Sequence, residues 1–368
     1  MKRWIALPVA MLLLVLVIAG CGSSDDTTGS EATGEATEAE VEVEEGGAEE
    51  EEASGGGQSV VYISPVAAQP GQQQINEGLE QSAKELGWSE FVLDSALSAE
   101  KQVSNVEAAL NKGVSAIASW TLDPNAVAGA YEKAQNKNVP VIGMNSQGTG
   151  VTATVWWEVQ TCGPNNPAQV TAEKVAELKP KAKVIVIGLE VAESTKELTD
   201  CLTQQAEKAG LEVINVTNNE ADNAAGSQKV FEPLLTKYPD VEAVLCYNDE
   251  SALGVSAALL AGGKQIATVQ EPDNGVIVTG SNGDKGAVEA VEEGRLSWTW
   301  DPDNLASGFA AVKLASEAVE GGKPKDLVVE SILVDGETVE EYVPADEREY
   351  TLDNIPAKPV EGELIFAK

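Results

Sequence analysis

The sequence predicts an α/β protein built as two doubly wound parallel-sheet lobes joined by a hinge. Three observations carry that prediction. From Ser59 onward short β-branched runs alternate with amphipathic helical stretches, the alternation runs as two successive series, and no Gly/Ser linker separates the series. Apolar strands alternating with helices imply parallel sheets covered on both faces. Without a linker, ordered crossovers should join the lobes, near 145–165 and near 275–300.

The first series opens with the strand Val60-Val61-Tyr62-Ile63. A helix over 72–86 follows, with Ile75, Leu79, Ala83 and Leu86 on one face and Gly87 as its stop. Next come a strand at 91–93, a helix over 99–111 with Val103, Val106 and Leu110 facing a core, and a strand at 114–118. A helix over 124–136 and strands at 139–144 and 151–156 complete the series. The second series reads as helices at 168–178, 195–209, 227–237, 251–260, 285–293 and 305–320. Its strands fall at 184–187, 211–216, 241–245, 276–279 and 296–300. The strand-like pieces Val328-Val329 and Ile332–Val334 should then return toward the first lobe.

Ahead of this body lies an export segment. Lys2 and Arg3 precede an apolar run from Ile5 to Ile18, shorter than the roughly 20 residues that span a bilayer, and Ala19-Gly20-Cys21 closes it. The closing motif resembles a bacterial lipobox, which implies cleavage of residues 1–20 and lipidation at Cys21. Residues 22–58 hold thirteen acidic residues and no Lys or Arg. Such a stretch buries too little apolar surface to offset its ordering entropy, so 21–58 is expected to be a disordered acidic tether. The expected division of the rest is a two-lobe domain at 59–335 and a C-terminal extension at 336–368. Lobe 1 takes about 59–150, a return near 275–300 and the C-terminal part; lobe 2 takes about 160–275.

Charge and composition exclude several functions. Apart from the basic leader and the tether, the formal charge of −36 leaves −25 on residues 59–368. A body this acidic repels nucleic-acid phosphates and anionic headgroups, so no nucleic-acid partner is expected. The chain has no histidine, which removes Ser-His-Asp and Cys-His catalysis and every His-based metal site. No carboxylate pair stands out by spacing. The expectation is therefore no catalytic group, no metal and no cofactor.

In open α/β sheets ligands bind beyond the carboxyl ends of the strands. Those positions here are rich in tryptophan and in amide or carboxylate side chains, and five of the seven tryptophans fall at or near them (Trp120, Trp156, Trp157, Trp298, Trp300). A flat apolar face with one N–H donor, beside directed amides, suits a neutral polyhydroxylated or nucleoside-like ligand. Trp156 and Trp157 are adjacent on a strand, so only one of them can face a cleft. Trp298 and Trp300 share a face.

Four segments in order resemble a known family. These are the helix running from Ile75-Asn76-Glu77-Gly78 to Lys84-Glu85-Leu86-Gly87, the approach Asn136-Lys137-Asn138-Val139-Pro140-Val141-Ile142, the turn Asn248-Asp249-Glu250-Ser251-Ala252-Leu253-Gly254, and Gly280-Ser281-Asn282-Gly283. They are similar to type I periplasmic solute-binding proteins of sugar ABC transporters, in the ribose-binding-like group, over 59 to about 335. The chain departs from the family at the sugar-stacking phenylalanines (here Gly71 and Gln72), the hinge Asp-Arg pair (Asn145-Ser146), the second-lobe arginine (near Lys196 and Leu198) and the Asp of the last turn (Asn282).

The resemblance implies a lipid-anchored, extracytoplasmic monomer that closes on a small sugar-like ligand and meets an ABC permease. Trp120 and Trp300 would stack on the ligand, joined by Trp157. Gln69, Asn145, Asn248 and Asn282 would hydrogen-bond it, with Asp249 supporting or contacting. It also implies that Cys162 and Cys201 are neighbours beside the cleft, and in an oxidising compartment a disulfide is expected between them, leaving Cys246 a buried thiol. A sensory lipoprotein signalling to a membrane kinase is the alternative. A secreted acid–base enzyme and a transcription regulator on the same scaffold fit less well, given the absent histidine and the leader at the N-terminus.

Overall fold

The computed structural model describes residues 57–367. The leader, Cys21 and all but the last residues of the tether lie outside the described residues.

The first sheet uses β1 (Ser59–Ser64), β2 (Ser89–Asp94), β3 (Ala116–Ser119), β4 (Val141–Met144) and β5 (Ala153–Trp157), linked by α1 (Pro70–Glu85), α2 (Ala99–Lys112) and α3 (Pro124–Asn136). After a short turn at Glu158–Gln160 the chain enters the second lobe. There lie α4 (Pro167–Leu178), β6 (Lys183–Gly188), α5 (Glu193–Lys208), β7 (Glu212–Asn218) and α6 (Ala224–Lys237), followed by β8 (Ala243–Cys246), α7 (Asp249–Ala261), β9 (Ile277–Ser281), α8 (Lys285–Glu292) and β10 (Trp298–Asp301). It returns through α9 (Asn304–Val319) and β11 (Leu327–Val329), visits lobe 2 once more as β12 (Ile332–Asp335), and ends in β13 (Ala357–Pro359).

The sheet orders are β13-β11-β5-β4-β3-β1-β2 and β12-β10-β9-β8-β6-β7. All neighbours are parallel except β11–β13 and β10–β12. Apolar clusters pack against both sheets, which is why a strand such as Val60–Ile63 is buried throughout. Six of the nine described α-helices begin with a Ser, Asp or Asn side chain accepting a first-turn N–H. Helices α1 and α9 meet at backbone distance, since a Cβ on Gly308 would lie 2.3 Å from the Ile75 carbonyl oxygen and one on Gly78 only 2.1 Å from that of Leu305. Among the described residues no helix is long and apolar enough to cross a membrane.

Three expectations about organisation change. Ile332–Val334 does not return to lobe 1: as β12 it pairs antiparallel with β10 at the edge of the second sheet. The segment near 275–300 does not return to lobe 1: β9 pairs with β8 and β10 with β9, so both extend the second sheet. The apolar pattern of a buried strand does not encode which sheet it joins, and here the chain first crosses back between Asp301 and Asn304. Residues 336–367, in turn, run along both lobes. Tyr342 packs on the core of lobe 2, while Tyr350, Leu352 and Ile355 pack on that of lobe 1. β13 pairs with β11, Phe366 meets Trp156 with ring centroids 4.8 Å apart, and the Ile365 carbonyl accepts from Cys162 N at 2.6 Å.

Candidate functional site

Between the carboxyl ends of the two sheets lies a cavity of about 50 Å³, bordered by residues of both lobes. It has room for roughly four water molecules. Of the eight predicted ligand residues, Gln69, Trp120, Trp157, Asn248 and Asn282 border it.

From lobe 1 come the two tryptophans. Trp120 follows β3 and Trp157 ends β5, and the rings meet edge to face with centroids 4.7 Å apart. Trp157 Nε1 donates to Ser307 Oγ at 2.9 Å, and Trp120 Nε1 donates across the cleft to Ser194 Oγ at 3.0 Å. Trp156 points the other way, as strand parity requires, and donates to Asp326 Oδ2 at 3.1 Å.

From lobe 2 comes a polar group centred on Asp222, a residue the sequence reading missed. It sits in the loop after β7 at φ 49°, 8 % exposed. Its Oδ1 accepts from Tyr247 Oη and from Asn248 Nδ2 at 2.9 Å, and its Oδ2 accepts from Gln69 Nε2 of lobe 1 at 2.5 Å. Burial raises its pKa to about 6 against the opposing pull of those three donors. Asn248 Oδ1 meanwhile caps α7, accepting from Ser251 N at 2.9 Å, so both ends of that amide are fixed. No lysine or arginine is among the residues bordering the cavity. Lys196, near the place of the family's arginine, is exposed and pairs with Asp200, and it is Leu198 that reaches the wall.

Three predicted residues are not brought to the cavity. Asn145 takes a left-handed turn (φ 47°) that aims its Oδ1 at Trp157 N, 2.6 Å away, so it holds β5 in place. Asp249 is fully buried beneath the sheet ends, accepting from Thr299 Oγ1 at 2.6 Å and from Asp284 N at 2.9 Å. Burial pushes its carboxyl well up. Trp300 shares its strand face with Trp298 and turns toward α4, donating to Thr171 Oγ1 at 2.9 Å. It lines a smaller void behind Leu198 and Tyr247.

The crossovers beside the cavity are held firmly. Cys162 and Cys201 are disulfide-bonded, tying the first crossover to α5, and Cys246 is a free buried thiol. At the second crossover Arg348, 7 % exposed at its side chain, ion-pairs with Asp301 at 2.5 Å and Asp303 at 3.2 Å. Tyr342 and Tyr350 donate to the same two carboxylates. Among the described residues no group of acidic or cysteine side chains is arranged to hold a metal ion.

Comparison with known proteins places this geometry. A family described as the periplasmic binding protein domain matches residues 60–323. The ribose import binding protein RbsB of Bacillus subtilis is 29% identical over 251 residues, covering 68% of this chain and 77% of that protein. RbsB of Escherichia coli is 29% identical over 253 residues, covering 68% and 80%. Among solved structures, an ABC transporter solute binding protein from Bacillus halodurans with bound myo-inositol superposes with a TM-score of 0.67 at 26% identity, over 78% of this chain and 98% of that one. The Caulobacter myo-inositol binding protein gives 0.68 at 22% identity, over 79% and 97%.

Proposed function

The chain belongs to the periplasmic binding protein domain family as a type I solute-binding protein and not an enzyme, and from that premise we propose that it captures a small neutral ligand of the sugar or cyclic-polyol class between its lobes. Delivery is to an ABC permease, and Cys21 carries a lipid that holds the receptor at the outer face of the cell membrane.

The observation that supports the ligand class best is the chemistry of the cavity wall: two edge-to-face tryptophans, several amides, no basic residue, and one carboxylate, Asp222, whose oxygens are taken up by three hydrogen-bond donors. An anionic ligand would find no cation on the wall, and a cationic one would meet a single carboxylate whose oxygens are already hydrogen-bonded, whereas ring C–H faces and hydroxyls suit aromatic and amide partners. The cavity is bordered by both lobes and bridged by the Gln69–Asp222 and Trp120–Ser194 bonds, so entry requires the lobes to part and closure to follow on the ligand. Ribose binding is supported by the relatives' names, and inositol binding by those of the solved structures.

A thermal-shift screen tests this reading with ribose, allose, arabinose and myo-inositol. At 1,000 times the dissociation constant a ligand adds about 4 kcal/mol, a rise of several degrees. Stabilisation by a neutral ring compound with a change in tryptophan emission supports the reading; stabilisation by an amino acid, an organic acid or a polyamine alone would overturn it. Mass analysis of the mature N-terminus in its native cell tests the anchor: a diacylglyceryl-modified Cys21 supports it and an unmodified Cys21 removes it.

A further inference from the structure

Five of the residues bordering the cavity are also partly exposed, and these form its rim: Val66, Gln69 and Leu97 from lobe 1, Val191 and Thr195 from lobe 2. Three of the five are apolar, and they come from three separate loops, those after β1, β2 and β6. Val191 stays 39 % exposed although the lobes are already bridged by the Gln69–Asp222 and Trp120–Ser194 bonds, so contact between the lobes does not use up its surface. Leu97 is held at the rim against its own backbone preference. It and Ala96 take consecutive left-handed conformations, φ 57° and 46°, a region in which a bulky side chain crowds its own backbone. Of the nine described non-glycine residues with positive φ, six are Asn or Asp, and Ala96 and Leu97 alone are apolar. The conformation is fixed from outside. Asp94 Oδ1 accepts from Ala67 N and Ala96 N, both at 3.0 Å, and Leu97 N donates to the Pro65 carbonyl at 2.7 Å. These bonds stitch the loop after β2 to the loop after β1, which carries Val66. Backbone strain imposed by its surroundings in this way clusters at ligand clamps.

We propose that Leu97, Val66 and Val191 form an apolar collar that receives an apolar substituent on the bound ring. Resting on the receptor reading above, this narrows the ligand to a neutral sugar or cyclic polyol carrying a short alkyl or aryl group, as a glycoside or an ether. The ring lies among the tryptophans and amides, and the substituent lies at the rim. A hydroxyl directed at the collar would lose water without gaining a partner, whereas a methylene there is withdrawn from water against apolar side chains. The collar draws two members from lobe 1 and one from lobe 2. A substituent seated in it therefore makes contacts that only the closed arrangement offers, which favours closure.

The test is calorimetric titration of wild type, Leu97→Asn and Val191→Ser. The probes are ribose, allose and myo-inositol, each beside its methyl, propyl and phenyl glycoside or ether. The quantity compared is the ratio of affinities, substituted over parent, within each protein, and melting of the unliganded proteins is measured alongside. In wild type the ratio should rise about two- to fourfold per methylene and reach roughly tenfold or more for a propyl or phenyl form. In Leu97→Asn it should fall close to one, and in Val191→Ser it should fall by a smaller factor. Leu97→Asn should melt no lower than wild type, because asparagine accepts the left-handed region. A ratio of one or less in a wild type that binds the parents would overturn the proposal and leave the receptor reading standing. A ratio unchanged in both variants would overturn the collar. If Leu97→Asn melts several degrees lower, Leu97 serves the stability of its loop and its part in the proposal falls; the ratio in Val191→Ser, at an exposed position, then decides the collar by itself. Failure of wild type to bind any probe would overturn the neutral-ring reading, and the collar with it.

Discussion

Asp222 at the cleft and the pair Asp301/Asp303 at the second crossover are all buried carboxylates, but they are satisfied differently. Asp222 is held by two amides and a phenol, all neutral. Asp301 and Asp303 share a buried guanidinium, that of Arg348, one of only three arginines in the chain. The crossover needs a fixed geometry, and a cation shared by two carboxylates supplies directed, strong bonds. The cleft needs bonds that can be broken when the lobes part, and neutral donors around one carboxylate provide contacts weak enough to exchange. The same division holds for the other lobe-spanning features. A disulfide fixes the first crossover, whereas a single indole-to-hydroxyl bond, Trp120 to Ser194, crosses the cleft.

The sharpest way to break the comparison is Arg348→Met. Removing one partner leaves two buried carboxylates without their cation, so unfolding free energy measured in urea should fall by about 3–5 kcal/mol. A loss under 1 kcal/mol would mean the crossover does not depend on the ion pairs. The double variant Cys162→Ser/Cys201→Ser should cost roughly 2–4 kcal/mol, read the same way under non-reducing conditions, while leaving ligand affinity within a few-fold.

The cleft side predicts a pH effect with a definite sign. With the folded pKa of Asp222 near 6 and the ordinary value at 3.8, the folded state holds this proton more tightly than the unfolded one. Its contribution is therefore greatest below pH 4 and is lost as pH rises through 6. Asp222→Asn should remove that dependence. The stability of the variant relative to wild type should rise between pH 4 and pH 7 by roughly 1–3 kcal/mol; a flat difference would show that Asp222 is not buried as an acid. The smallest effect expected is for Trp120→Phe. It keeps an aromatic ring beside Trp157 but loses the bond to Ser194, and it should cost about 1 kcal/mol of stability. A loss of 3 kcal/mol or more would place Trp120 with the rigid crossovers instead.

The strand and helix rhythm was legible because each element buries one face, and burial writes a period into the sequence. Parity was legible too: only one of Trp156 and Trp157 borders the cavity. Sheet membership was not, since the apolar runs of β9 and β10 are compatible with either lobe and pairing alone decides it. Strand-end position brought Trp120 to the cavity but not Trp300, because the face that a strand turns to a cleft depends on its register in the sheet. Asp222 and Gln160 were missed for a different reason. Both lie in irregular segments, and neither carries a periodic signal, so only the packing of distant segments brings them to one wall. Arg348 offered a faint signal in its rarity, a lone arginine in an acidic extension.

The most direct test of the account is a calorimetric titration of the purified protein at pH 7 with three isosteric ligand sets: a neutral sugar, its uronic acid and its amino sugar. The account predicts that the neutral member binds at least tenfold tighter than either charged form, because the cleft has no cation and the oxygens of its one carboxylate are already hydrogen-bonded. A clear preference for the uronate or the amine would contradict it, showing that the field of the cleft, rather than its neutral hydrogen bonds, selects the ligand.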